Sequence, residues 1–147
     1  MTEDSIRTLV QTARVVAVVG MKDESAVHEP AHSVPEMMNR RGIRIVPINP
    51  RIESALGVPS LKSIAELSEK VDVIQVFRRS DALPGIADEI LALPAALRPR
   101  AVWMQLGIAN DEAAQKLGDA GIDVVMDRCF AVELARLQAT NAPGTRT

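Results

Sequence analysis

The stretch Val15-Val16-Ala17-Val18-Val19-Gly20 decides the fold. It is a short run of valines broken only by Ala17, with no polar alternation. Such a run suits a strand covered on both faces, as strands of parallel sheets are. Gly20 closes it. Four later segments read the same way: residues 43–48, 71–77, 101–106 and 122–126. Each is short and rich in Val and Ile.

Helical patterns fill the intervals. Ser33-Val34-Pro35-Glu36 reads as a helix start, with Ser33 as cap, Pro35 in the first turn and Glu36 closing a capping box. That helix is predicted to stop near Arg41, with Gly42 as a left-handed terminus. Ser63-Ile64-Ala65-Glu66 is a second capping box. Asp81 is expected to cap a helix whose Ile86, Ile90 and Leu93 share a face, and Asn110 another that ends around residues 118–121. A last helix follows Cys129 and carries Val132, Leu134 and Leu137. The domain is predicted to span residues 1–137, with 138–147 a flexible tail. Strand–helix alternation at this spacing means βαβ units with right-handed crossovers. The expected fold is a single doubly wound α/β domain, a five-stranded parallel sheet with helices on both faces.

Bulk properties narrow the function. The chain has 147 residues, 47% of them hydrophobic, and a formal net charge of −2. Without a basic excess, nucleic acid and anionic lipid are not expected partners. The longest apolar run, Val15–Val19, is far short of the ~20 residues a membrane span needs. The acidic start Met1-Thr2-Glu3-Asp4 is unlike a signal peptide, and the one cysteine, Cys129, has no partner for a disulfide. The expected compartment is the cytoplasm.

Doubly wound sheets bind ligands outside the carboxyl ends of their strands, so the residues there are the candidates. Gly20 opens an unusually long loop that ends near His32 and Ser33, where free helix N–H groups favour an anion. No G-x-G-x-x-G follows Gly20; the next residues are Met21 and Lys22. The second strand ends in Asn49-Pro50-Arg51. A site for NAD would carry an acidic residue there, whereas Arg51 suits a phosphate on the ribose. NADP and coenzyme A (CoA) both remain open at this point. Phe77-Arg78-Arg79 ends the third strand, Gln105-Leu106-Gly107-Ile108 the fourth and Met126-Asp127-Arg128-Cys129 the fifth. Trp103 reads as core. Cys129 is expected at a helix N-terminus, where a thiol can be activated. No metal-ligand spacing, G-x-S-x-G or Walker A loop is present, so no catalytic residue is expected.

These segments, taken in order, resemble the stand-alone CoA-binding protein family. They are Ala17-Val18-Val19-Gly20, Pro30-Ala31-His32-Ser33-Val34-Pro35, Val46-Pro47-Ile48-Asn49-Pro50-Arg51, Val76-Phe77-Arg78, Val102-Trp103-Met104-Gln105-Leu106-Gly107-Ile108 and Val124-Val125-Met126-Asp127-Arg128-Cys129. That family is similar to the CoA-binding domain of the succinyl-CoA synthetase α subunit. The resemblance implies a Rossmann-type domain holding CoA across the strand ends. Gly20, Met21 and Lys22 would touch it from the first loop, and Pro30, His32 and Ser33 would meet the diphosphate. Asn49, Pro50 and Arg51 would take the ribose-phosphate, Phe77 and Arg78 would bound the adenine, and Gln105, Gly107 and Ile108 would face the pantetheine. One departure stands out: Glu29 occupies a place where family members commonly carry arginine, in a loop that also holds Asp23 and Glu24. Lys22 is the cation expected to compensate. The synthetase's ligase chemistry is not implied, because its phosphohistidine lies in a different domain. The function implied is CoA or acyl-CoA binding by a non-catalytic carrier, sensor or partner module. The alternatives are an enzyme using Cys129 in thiol or acyl chemistry, or an NADP-binding protein.

Overall fold

The structure is a computed structural model that describes residues 1–140. Its elements run α1 (Glu3–Thr12), β1 (Val15–Val19), α2 (Pro30–Arg40), β2 (Arg44–Ile48), β3 (Ser54–Ala55), β4 (Val58–Pro59), β5 (Val73–Val76), α3 (Leu83–Leu91), β6 (Ala101–Met104), α4 (Asp111–Asp119), β7 (Asp123–Val125) and α5 (Phe130–Thr140). The five longer strands form one parallel sheet in the order β2-β1-β5-β6-β7, as expected. β1 matches its sequence run, and the other four are shorter than theirs, because pairing stops before the apolar residues do. The small antiparallel β3–β4 hairpin had no sequence reading.

Side chains alternate across the sheet and divide the core in two. Ala17, Val46, Ile74 and Val102 face α3 and α4, against Ile86, Ile90, Ala113 and Leu117. Val16, Val18, Val73, Trp103 and Val125 face α1, α2 and α5. Trp103 is fully buried there and lies on Phe130, with ring centroids 4.6 Å apart. Helices therefore cover both faces. α1, which the sequence reading omitted, buries Ile6, Leu9 and Val10 on this second side, capped by Thr2.

Several helix starts differ from expectation. α2 begins at Pro30, not Ser33. The Glu29 carbonyl accepts from both His32 and Ser33 N–H, so Ser33 lies inside the first turn. Pro35 is within the helix and lacks an N–H. The Ala31 carbonyl it leaves unserved accepts instead from Lys22 N–H at 3.1 Å. Ser63–Glu66 is no capping box: Ile64–Glu66 is one 3-10 turn, and Glu66 accepts from Lys62 N–H. Asp81 lies in a 3-10 turn paired with Arg79, ahead of α3. Asn110 does cap α4, its Oδ1 accepting from Ala113 N–H at 2.9 Å. α5 buries Leu134 but leaves Val132 exposed, and it runs to Thr140, past the predicted start of the tail at 138. The rest of that segment, 141–147, lies outside the described residues.

β2 is an edge strand with Pro47 as its fourth residue. The Pro47 carbonyl accepts from Leu61 N–H, and Asn49 N–H returns to the Leu61 carbonyl, so residue 61 lies against the outer side of β2.

Candidate functional site

The chain leaves β1 toward β2 on one side and then crosses to β5 on the other. The strand order thus reverses between β1 and β5, and their carboxyl ends frame the crevice where such sheets take ligands. Gly20 stands at this point with φ +82°. A Cβ there would lie 2.4 Å from the Phe77 carbonyl oxygen and 3.3 Å from Arg78 Nε. The glycine is thus required by the chain's own close approach of β1 to the end of β5.

Beside Gly20 is a cleft of about 400 Å³, lined by Val19, Ile48, Pro50, Lys62, Ser63, Ile64, Arg78, Ala82, Gly85, Ile86 and Glu89. Its floor is apolar and Lys62 and Arg78 bring cationic heads to it. The Lys62 ammonium donates to the Ile52 carbonyl at 2.6 Å. Half-buried Arg78 and exposed Arg51 have no side-chain hydrogen bond or ion pair among the described residues. Arg51 lines a neighbouring shallow cleft of about 380 Å³ with Asp23, Glu24, Ser25, Ile52, Glu53 and Ser54.

The expected contacts fall into two groups. Lys22, Pro30, Pro50, Arg51 and Gly107 are exposed, and Ser33, Phe77, Arg78 and Ile108 are half-buried. Met21, His32, Asn49 and Gln105 are buried and have internal partners. His32 is closed off from solvent, with Nε2 2.6 Å from Glu24 Oε2. Its ring offers no exposed atom to a ligand. Asn49 Nδ2 donates to the Met21 carbonyl at 2.8 Å, and its Oδ1 accepts from Arg51 N–H at 2.9 Å, so Asn49 ties the first loop to the second. Gln105 Oε1 accepts from Gln75 Nε2 at 3.1 Å and from Phe130 N–H at 3.4 Å, joining the end of β6 to the start of α5.

The loop electrostatics are equally specific. Lys22 Nζ lies 2.6 Å from Glu29 Oε1. Glu24 also accepts from Leu56 N–H at 3.0 Å. That backbone donor first, and His32 second, hold its carboxyl below the usual range. Hydrogen bonds from the Ser25 hydroxyl and N–H lower Asp23 in the same way.

The Met-Asp-Arg-Cys segment acts mainly as a brace. Asp127, at φ +58°, accepts from Gly107 N–H at 2.6 Å. The Arg128 carbonyl accepts from Trp103 Nε1 at 2.8 Å, and its guanidinium reaches Glu3 at 2.8 Å. Cys129 is a free, half-buried thiol directly ahead of α5, packed against the core on that side. No group of three or more His, Cys, Asp or Glu suited to a metal occurs among the described residues.

Lys62, Ser63, Ile64, Gly85 and Glu89 were not expected at the site. The bridge between Ile48 and Leu61 carries residues 62–64 to the crevice, a long-range pairing with no local signal.

Residues 14–135 match a family model described as CoA binding domain. The chain belongs to this CoA-binding domain family. Among its relatives, the uncharacterized protein YneT of Bacillus subtilis (strain 168) is 39% identical over 127 residues, spanning 86% of this chain and 90% of YneT. The solved structure of cell-free ID.343 from Thermus thermophilus is 38% identical with a TM-score of 0.84, covering 93% of this chain and 99% of that one. An acetyl-coenzyme A synthetase of Ca. Korarchaeum cryptofilum is 15% identical with a TM-score of 0.67 over 91% of this CoA-binding domain chain and 37% of its own. That likeness is one of fold. No helix among the described residues is long and apolar enough to cross a membrane.

Proposed function

We propose that this protein binds CoA or an acyl-CoA and serves as a carrier, sensor or partner module without chemistry of its own. The observation that carries the reading is the cleft at the β1–β5 reversal, apolar at its floor and flanked by the guanidinium groups of Arg78 and Arg51, which make no ion pair among the described residues. Such groups suit phosphate, which arginine engages in bidentate fashion. In this reading the adenine lies between Ile48, Ile64 and Ile86, bounded by Arg78, with Pro50 and Lys62 beside it, whereas Phe77, expected to bound it too, packs against the core on the other face of the sheet. Arg51 takes the phosphate on the ribose. Lys22, Pro30 and Ser33 meet the diphosphate where α2 begins. The pantetheine passes Gly107 and Ile108. Met21, His32, Asn49 and Gln105 act from behind, by shaping the loops that touch the ligand. The same reading assigns the protein to the cytoplasm, where the Cys129 thiol stays reduced.

Calorimetry with CoA, dephospho-CoA, NADP and NAD tests this. CoA is expected to bind tightest. Dephospho-CoA is expected to bind about tenfold more weakly, since a hydrogen bond to a charged group contributes about 1.5 kcal/mol or more. Arg51→Ala should remove that difference. Absence of CoA binding at near-millimolar ligand, or a preference for NADP, would overturn the proposal.

A further inference from the structure

We infer that Glu29 is a built-in counter-anion of the site: its carboxylate occupies Lys22 until the diphosphate of a ligand displaces it. The inference rests on the CoA reading above and names the residue that sets its affinity.

The first loop carries three acids, and two of them have internal roles. Asp23 accepts from Ser25 N–H at 3.1 Å and from its hydroxyl at 2.6 Å. Glu24 accepts from Leu56 N–H and lies against His32. Glu29 is different. It stands at the N-cap of α2 yet makes no side-chain capping bond. Glutamate is not among the preferred caps, so helix capping does not account for it. Its carboxylate goes to Lys22 at 2.6 Å, with both side chains about half exposed, at 48% and 54%.

Lys22 is held in position by its backbone. Its N–H serves the Ala31 carbonyl that Pro35 leaves free, so the residue is anchored beside the first turn of α2. An anion at that turn gains from both the helix terminus and the ammonium. Glu29 already supplies one. A diphosphate brings more charge to the same cation than a single carboxylate does. The existing pair is a weak obstacle, because exposed ion pairs contribute little. The exchange therefore favours diphosphate-bearing ligands over singly charged ones and lowers the affinity for all of them.

Calorimetry with CoA on the full chain tests this with Glu29→Gln, Lys22→Met and the double variant. Glu29→Gln is expected to bind CoA about fivefold more tightly, the scale of an exposed charge pair. Lys22→Met is expected to bind more weakly than wild type. The double variant should lose the gain, since the gain is a freed Lys22. An unchanged affinity in Glu29→Gln, or a gain that survives without Lys22, would overturn the inference while leaving the CoA reading intact. No CoA binding by wild type or any variant would overturn both.

Discussion

Two glycines at the crevice have similar backbones and different reasons to be glycine. Gly20 has φ +82° and no room for a Cβ, which would meet the Phe77 carbonyl at 2.4 Å. Gly107 has φ +84° and nothing within 4 Å of a built Cβ. Gly107→Ala is therefore expected to cost about 1–2 kcal/mol, the penalty of the left-handed region alone. Gly20→Ala adds a backbone clash and is expected to cost more than ~3 kcal/mol, because β1 must move from the end of β5. Urea unfolding of both variants checks the ranking, and equal losses would contradict it. The sequence reading placed both at the ligand. It held no sign that the close approach at Gly20 is made by Phe77, since that contact exists only once β5 pairs with β1.

At the scale of elements, Glu24 joins three of them: the first loop, α2 through His32, and the β3–β4 hairpin through Leu56 N–H. The hairpin turn has positive φ at both Leu56 (+52°) and Gly57 (+75°). A leucine is an unfavourable choice there, and the bond to Glu24 helps to hold it. The folded chain lowers the Glu24 carboxyl below its ordinary range. Ionised Glu24 thus favours the folded state above that range, and the contribution fades as pH falls through the lowered value. Glu24→Gln is expected to lower the melting temperature near neutral pH, with the gap to wild type closing as the pH falls below the ordinary carboxylate range. Subtracting the two melting curves removes the parallel effects of Glu3, Asp23 and Glu69, which are lowered too. The strands were legible because burial on both faces leaves only Val, Ile and their like. The start of α2 was not, because Ser33 and Glu36 imitate a capping box that Pro30 and the Glu29 carbonyl pre-empt. The hairpin left no trace, since Leu56 carries no turn signal.

For the whole molecule, α1 matters more than its place outside the family match suggests. That match begins at residue 14, yet Ile6, Leu9 and Val10 are buried in the core beneath α5, and Glu3 meets Arg128 across it. Burying such side chains stabilises by about 1.5–3 kcal/mol each, a large share of the roughly 5–15 kcal/mol of a typical domain. Removing residues 1–12 is expected to lower the urea midpoint by a third or more; an unchanged midpoint would show α1 to be dispensable. The Ile6-Leu9-Val10 spacing was visible in the sequence, but one short amphipathic segment did not stand out beside five strands. The site was legible where strands end, because the carboxyl-end rule points there. It was illegible at Lys62 and Ile64, which arrive by way of the bridge to β2. That bridge has another consequence. Residue 61 shields the free border of β2, and Pro47 offers no donor along it. At the opposite border, β7 is only three residues long and opens with exposed Asp123. Neither border is a template for a foreign strand, so the chain is guarded against fibril-like stacking while its crevice stays open.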